Sequence, residues 1–418
     1  MKVVVLGGSS PSTPVLFRRL GARSKMPHLE FCLVGRSHGH LVSVLRAVRT
    51  LVGKAPILLQ SSSFAPAEIV SALRGADLVL VQVRFGGYEG RNFDETFPLR
   101  YGLCGDESLG PGGLSAAWRA WPTMHNLLTT VASVCPDATI LMLSSPVGIF
   151  VGAARHMFPA LRIYGICELP WTTLQDVSAL LNADPTGIDF DYLGVNHVGW
   201  FYRMEFEGRD LLLEYESQDS SGERWPSSQL VASCRGFPTK YLRLHYNQQQ
   251  VLQEQRERRV SRAEILKEIS LESYRVFRSG GEHAILTTLE RRPAPWYDHA
   301  VVPFLLSLAG VPSTIPYFLT GPGWLTDAAF DSQDLLEFPI CINLGKFRPK
   351  SCRKPPPSHI LDTVKAFVAY ERKAARAVVE QDGRQMQNAL EIHPWIDKPE
   401  LAAALTAQIT AQPQVGPN

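Results

Sequence analysis

Nowhere does the sequence approach the roughly 18 consecutive apolar residues that a membrane helix needs, so no segment reads as a span. The opening Met1-Lys2-Val3-Val4-Val5-Leu6-Gly7-Gly8 lacks the length and the small-residue cleavage site of a secretory signal. There is no basic block either: 42 Lys and Arg stand against 40 Asp and Glu, a formal charge of +2. That balance argues against a nucleic-acid or polybasic membrane-binding protein. Cysteine is sparse, seven in all and so odd in number. None falls in a CxxC or zinc-finger spacing, and no HExxH occurs. Together these absences exclude a disulfide framework and a sequence-local zinc site, and lead us to expect a cytoplasmic protein in a reducing setting. What is present is a chain of 418 residues, 45% apolar, enough at about 150 residues per domain for two or three domains.

Residues 1–165 alternate between short β-branched runs and helical patterns. Strands are expected at 3–6, Leu29–Val34, 57–59, 77–83 and 139–143, with helices at 12–20, 66–74, 115–134 and Val147–Met157. This βαβ rhythm predicts an α/β fold: an N-terminal Rossmann-type, doubly wound parallel sheet with helices on both faces. The pattern then changes. Strands at 188–193 and 201–206 and long amphipathic helices at 261–277 and 361–379 predict an α+β substrate- and metal-binding domain over 166–411. A proline-rich turn falls at 350–358, and residues 412–418 read as a flexible tail.

Gly7-Gly8-Ser9-Ser10 lies between the first strand and the first helix. A glycine turn there brings backbone N–H groups close to a pyrophosphate at a helix N-terminus, and Ser9, Ser10, Ser12 and Thr13 add hydroxyls. The match to GxGxxG is imperfect, so a plain tight turn remains the alternative. After the second strand an NAD site usually carries an acidic residue for the ribose 2′-hydroxyl. Here Val34-Gly35-Arg36-Ser37-His38 carries none. Arg36 suits a 2′-phosphate, or is a solvated loop cation.

After the fourth strand comes a long glycine-dense segment. It runs from Gln82-Val83-Arg84-Phe85-Gly86-Gly87 through Gly90-Arg91 and Asp94-Glu95 to Asp106-Glu107-Ser108 and Gly110-Pro111-Gly112-Gly113. We read it as a loop at the carboxyl end of a strand, where open α/β sheets bind ligands. Its arginines suit an anionic or hydroxyl-rich substrate, and internal pairing of Asp94 or Glu95 with Arg84 or Arg91 is the plainer use.

These stretches resemble glycoside hydrolase family 4, the NAD- and metal-dependent glycosidases. The resemblance rests on Val5–Ser10 with Thr13-Pro14, the segment from Arg84 to Gly113, Ser145-Pro146-Val147-Gly148, Gly165-Ile166-Cys167-Glu168-Leu169-Pro170 and Gly194-Val195-Asn196-His197. It covers about the first 200 residues in order, and continues more weakly in Pro238-Thr239-Lys240-Tyr241-Leu242-Arg243, Ala369-Tyr370-Glu371-Arg372 and His393-Pro394. Residues 279–351 match poorly. The resemblance implies an architecture like that of lactate and malate dehydrogenases. It implies a dinucleotide, NAD or NADP, against Gly7, Gly8, Ser9, Ser10, Thr13, Arg36 and Gln82. It implies Mn(II) or another divalent metal on Cys167 and His197, substrate contacts from Arg84, Arg91, Glu107, Ser145 and Asn196, and catalytic roles for Tyr241 as base and for Glu168 as acid, with an outer-shell group orienting the metal the alternative for Glu168. Without it, a buried Cys and a satisfied His are the better reading of Cys167 and His197. Tyr241 needs a nearby cation to act as a base, from the metal or from Lys240 or Arg243.

The implied reaction is not two-carboxylate hydrolysis, to which NAD-dependent family 4 enzymes are an exception. Hydride leaves sugar C3 for NAD⁺, the ketone acidifies C2, the metal stabilises the enolate, and the aglycone is eliminated from C1. Water then adds and the hydride returns. The implied substrate is a small-molecule glycoside, 6-phosphorylated, otherwise acidic or without an acidic group, and family members form homodimers or homotetramers. Departures from the family cluster in ligand loops: Ser9 for a third glycine, no acid after the second strand, Ser145 for Asn, Asp106-Glu107-Ser108 for Gln-Glu-Thr, and Thr320-Gly321-Pro322-Gly323 for an Asn-Asn-Gly segment. The alternatives are an ordinary NAD(P)-dependent dehydrogenase of a hydroxy acid or sugar, expected to use a His–Asp pair and no metal, and a non-catalytic dinucleotide sensor.

Overall fold

The structure, a computed structural model, describes residues 1–22, 26–53, 55–218, 224–313, 315–324, 329–343 and 345–413. Most of the expected tail, residues 414–418, lies outside the described residues. The strands are β1 (Lys2–Leu6), β2 (Leu29–Val34), β3 (Ile57–Ser62), β4 (Leu78–Val81), β5 (Thr139–Met142), β6 (Arg162–Cys167), β7 (Asp189–Val195), β8 (Val198–Phe206), β9 (Arg209–Asp210), β10 (Phe237–Pro238), β11 (Tyr317–Pro322), β12 (Leu335–Asn343) and β13 (Lys346–Pro349). All join one sheet.

Its first half runs β3-β2-β1-β4-β5-β6, every pair parallel. This is the doubly wound order, with chain crossing over at β1, so that the ends of β1 and β4 open the crevice where such sheets hold ligands. Alternation along each strand explains why both faces are covered. Val4, Leu6, Val79 and Val81 enter one apolar core with helices Pro66–Leu73, Gly110–Val134, Val147–Met157 and Ser358–Glu380. Val3, Val5, Leu78 and Leu80 enter another with helices Thr13–Gly21, His38–Val52, Arg262–Ser279 and Val302–Leu308. Strands buried on both faces read as continuous apolar runs, as these do.

The sheet does not stop where the sequence divides at 165/166. That division falls inside β6, and β11 pairs antiparallel with β6 through Phe318↔Cys167, Leu319↔Ile166 and Thr320↔Gly165. β12, β7, β8 and β10 extend the same sheet antiparallel. The second half is therefore welded edge-on to the first, which places the end of β6 and the β7–β8 turn on one wall.

The segment after β4 corrects the sequence reading: it is largely helical, not a loop. Gly87–Thr96 is an α-helix, Phe97–Tyr101 a 3₁₀ turn, and the helix expected from Ser115 already begins at Gly110. The glycines there make room for packing. A Cβ on Gly86 or Gly90 would lie 2.6 or 2.9 Å from Arg119 Nε, and one on Gly112 would lie 2.3 Å from the Asp94 carbonyl oxygen. Arg119 threads between the glycines to Asp94, donating from Nη1 at 3.0 Å and from Nη2. Burial raises the Asp94 carboxyl to about 6 against the opposing pull of Arg119. Arg119→Met would leave that carboxylate buried without its partner and should cost about 3–5 kcal/mol. A shift of the denaturation midpoint at neutral pH checks this; an unmoved midpoint would show the pair contributes nothing.

Candidate active site

The carboxyl ends of β1, β2, β4, β5 and β6 open into one cavity of about 2040 Å³. Of the residues singled out by sequence, Gly7, Ser9, Ser10, Arg36, Gln82, Arg84, Arg91, Glu107, Ser145, Cys167, Glu168, Asn196, His197 and Tyr241 all line it. Gly8 and Thr13 do not. A Cβ on Gly8 would lie 2.7 Å from Leu33 Cβ, so this glycine lets the turn close onto β2.

The turn after β1 also works differently from the simple glycine cradle. Gly7 has φ +91°, and a Cβ there would sit 2.8 Å from the Gln82 carbonyl oxygen, so the position needs glycine. The N–H groups of Gly7 and Gly8 both donate to the Val34 carbonyl, at 3.0 and 2.8 Å, and are turned away from any ligand. The hydroxyls remain: Ser12 Oγ, ahead of helix Thr13–Gly21, is buried and has no hydrogen-bond partner among the described residues. Gln82 braces this turn, its amide donating to the Gly7 carbonyl and Thr13 Oγ1 (3.2 and 3.0 Å) and accepting from Tyr297 Oη at 2.6 Å. Its side chain, and with it Thr13, is committed to the turn's shape.

On the opposite wall, Cys167 ends β6 and His197 sits in the β7–β8 turn with φ +69°. A left-handed non-glycine residue costs on the order of 1–2 kcal/mol, a strain that recurs at functional positions. Burial pushes the His197 imidazole down to about 4, so the ring is neutral at pH 7, and its Nδ1 is buried with no partner among the described residues. Burial, then the charges of Glu337 and Glu168, push the Cys167 thiol well up. Glu168 Oε2 lies 4.0 Å from Cys167 Sγ, and burial raises this carboxyl too. Among the described residues no three His, Cys, Asp or Glu converge as a ready-made metal cage.

Tyr241 stacks on His197, ring centres 4.1 Å apart. Its segment is tied to the same turn: Thr239 N donates to the Gly199 carbonyl at 2.9 Å and Thr239 Oγ1 to the His197 carbonyl at 3.3 Å. Burial, reinforced by Asp106, raises the Tyr241 phenol well above its usual range, and Arg262 pulls it the other way. Arg243, with the metal and Lys240 one of three expected sources of that cation, is bound to Glu254 (Nη1–Oε2 2.9 Å). Arg262 is a further cation whose charge acts on the phenol.

The third wall is cationic. Glu107 is gripped by Arg84 and by Arg91 (Nη1–Oε1 2.7 Å), and Arg91 also holds Glu95 at 2.7 Å. Burial would raise the Glu107 carboxyl, but Arg84 and Arg91 overcome it and hold it at about 2. Arg292, which sequence reading missed, lines the cavity close enough to Arg84 and Arg91 to feel their charge. Among the described residues no carboxylate pairs with it; its Nη1 donates to Tyr88 Oη at 3.3 Å. Behind the Cys167 wall lies another missed residue, Glu337 on β12. It accepts from Tyr192 Oη at 2.7 Å and Asn196 Nδ2 at 3.2 Å, and so fixes the Asn196 side chain. A lone acid within the apolar run Leu335–Ile340 was the available signal for it.

Residues 2–183 match the model of the family described as Family 4 glycosyl hydrolase, and residues 192–396 match that family's C-terminal domain. The chain is similar to the probable 6-phospho-beta-glucosidase of Bacillus subtilis (strain 168), 24% identical over 96% of this chain and 94% of that protein. It is 26% identical to 6-phospho-beta-glucosidase BglT of Thermotoga maritima, over 94% of each. Among solved structures it resembles the 6-phospho-beta glucosidase from Thermotoga maritima with manganese, NAD⁺ and glucose-6-phosphate. There the TM-score is 0.84 at 23% identity, over 98% of this chain and 97% of that one. No helix among the described residues is long and apolar enough to cross a membrane.

Proposed function

The chain belongs to the family 4 glycosyl hydrolases, and from that premise we propose that it is a dinucleotide- and metal-dependent hydrolase of 6-phosphorylated glycosides. One observation carries the reading. The glycine turn after β1, the Cys167–His197 wall and the Arg84–Arg91–Arg292 cluster all open on a single cavity.

The residues present fit both groups. Ser12 Oγ, beside the turn after β1, and His197 Nδ1, on the opposite wall, are buried polar atoms with no partner among the described residues. Cys167 Sγ and His197 would hold a divalent ion, with sugar hydroxyls completing a shell that the chain alone leaves open. When bound, the nicotinamide would supply a hydride acceptor and donor for sugar C3, and the ion a Lewis acid for the carbonyl so formed. The rest falls to the chain. Ser9, Ser10 and Ser12 offer hydroxyls to the pyrophosphate. Arg292 and Arg84 meet the 6-phosphate, while Glu107 keeps Arg84 and Arg91 aligned. Asn196, held by Glu337, and Ser145 orient the sugar. Tyr241 takes the proton from C2, and Glu168, beside Cys167, gives one to the leaving oxygen at C1. NAD, manganese and glucose-6-phosphate in the Thermotoga maritima structure, and the phosphoglycosidase names of the relatives, support this assignment. Family membership sets aside the simple dehydrogenase alternative.

The test is a panel of aryl glycosides and their 6-phosphates, assayed with NAD⁺ or NADP⁺ and Mn(II), with and without chelator. Hydrolysis should be confined to the phosphorylated substrates, need both additions, and leave no net reduced nicotinamide. Hydrolysis persisting after nucleotide and metal are stripped would sink the reading.

A further inference from the structure

The end of β2 decides which dinucleotide fits, and it is built without a carboxylate. Among the described cavity-lining residues contributed after β1, β2 and β3, none is acidic. A ribose 2′-hydroxyl is ordinarily held here by Asp or Glu. The position at the strand's end is Gly35, and its lack of a side chain is enforced. A Cβ there would lie 2.8 Å from Ser9 Cβ, 2.9 Å from Ser9 Oγ and 3.3 Å from Leu41 Cδ1. Ser9 therefore occupies the space through which an acidic side chain would leave the backbone. Ser9 is itself pinned, its carbonyl accepting from Tyr274 Oη at 2.9 Å.

On the cavity side the described residues around this point are positive or neutral, and the nearby Glu68 is engaged by the Ser63 N–H at 3.0 Å. Arg36 follows Gly35 directly on the cavity rim, with Ser37 and His40 beside it. His40 lies flat on Tyr274, ring centres 3.8 Å apart and 2° from parallel. Arg278, from the same helix as Tyr274, is near enough for its charge to act on His40. An arginine with serine hydroxyls beside a ribose recognises a phosphate monoester, because the guanidinium fork matches two phosphate oxygens.

Resting on the dinucleotide reading above, we propose that this site selects a dinucleotide carrying a 2′-phosphate. Arg36 is the residue that reads it, and the Ser9–Gly35 contact excludes the carboxylate that would favour the bare 2′-hydroxyl.

Calorimetric titration of the full chain with NADP⁺, NAD⁺, adenosine 2′,5′-bisphosphate and 5′-AMP tests this without any turnover. Each 2′-phosphorylated ligand should bind at least roughly tenfold tighter than its unphosphorylated counterpart, as one or two charge-assisted hydrogen bonds would give. Arg36→Ala, at an exposed position, should erase that difference and leave 5′-AMP binding unchanged. The double variant Ser9→Gly/Gly35→Asp, which removes the steric block and adds the acid together, should reverse the preference. Equal affinities, or tighter NAD⁺ binding by the unaltered chain, would overturn the 2′-phosphate assignment while leaving the glycosidase reading intact. Binding of neither dinucleotide would overturn both.

Discussion

Cys167→Ser should lower kcat/KM on a 6-phosphorylated glycoside by more than about a hundredfold, the upper end of what outer-shell substitutions cost at a metal site. The argument starts from burial. Cys167 is the last residue of β6, 4% exposed, and held in register by its antiparallel partner Phe318. The Leu169 N–H donates to its Sγ at 3.4 Å, so the sulfur is already oriented by the first turn of helix Leu169–Leu181. Serine is nearly the same shape and keeps that hydrogen bond, so the fold should survive. What it loses is a soft anionic ligand, since a buried hydroxyl does not deprotonate for a divalent ion as a thiol does. Burial and the neighbouring acids hold the Cys167 proton tightly, so ion binding must release it, and affinity for Mn(II) should rise with pH. Three measurements separate the cases: metal content after dialysis, kcat/KM at saturating Mn(II), and the thermal midpoint. Loss of metal and activity at an unchanged midpoint is the expected set. Full activity in the serine variant would remove Cys167 from the site.

How much of this was legible depends on the scale at which chemistry leaves a pattern. The parallel half of the sheet could be read because strands buried on both faces are uninterrupted apolar runs; Leu29–Val34 and Val147–Met157 fall where the sequence puts them. Helix His38–Val52 was not legible although Leu41, Leu45, Val48 and Val52 keep helical spacing, because it opens with His38-Gly39-His40, a poor helix start apart from the Ser37 cap. The glycines after β4 were misread for a physical reason. Density of glycine signals close approach, and sequence does not say whether the approaching group is a ligand or, as here, Arg119. Cys167 and His197 were legible only as members of short motifs, and the join of β6 to β11 brings them onto one wall. Arg262 and Arg292 left no signal. They act by position alone, arriving at the cavity from helices and turns more than a hundred residues beyond the glycine turn.

Tyr241→Phe should reduce turnover by about 10²–10⁴-fold, the usual worth of a positioned acid–base group, and its distinguishing effect should be isotopic. Phenylalanine keeps the ring that stacks on His197 at 4.1 Å, and the Thr239 hydrogen bonds that seat the segment do not involve the phenol. The thermal midpoint should therefore hold and the metal wall stay intact. The phenol oxygen alone is removed, and with it the group proposed to take the C2 proton. In D₂O the unaltered protein should return product carrying deuterium at C2, because on the proposed reaction that proton leaves and is replaced from solvent in each turnover. The variant should oxidise C3 and stop, so that single-turnover mixtures show reduced nicotinamide persisting in the near-ultraviolet while C2 stays protonated. The combination is diagnostic. A residue that merely supported His197 would, when altered, slow hydride transfer and exchange together. A variant that retained C2 exchange at the original rate would place the base elsewhere in the cavity, with Asp106, the acid whose charge bears most on Tyr241, the alternative.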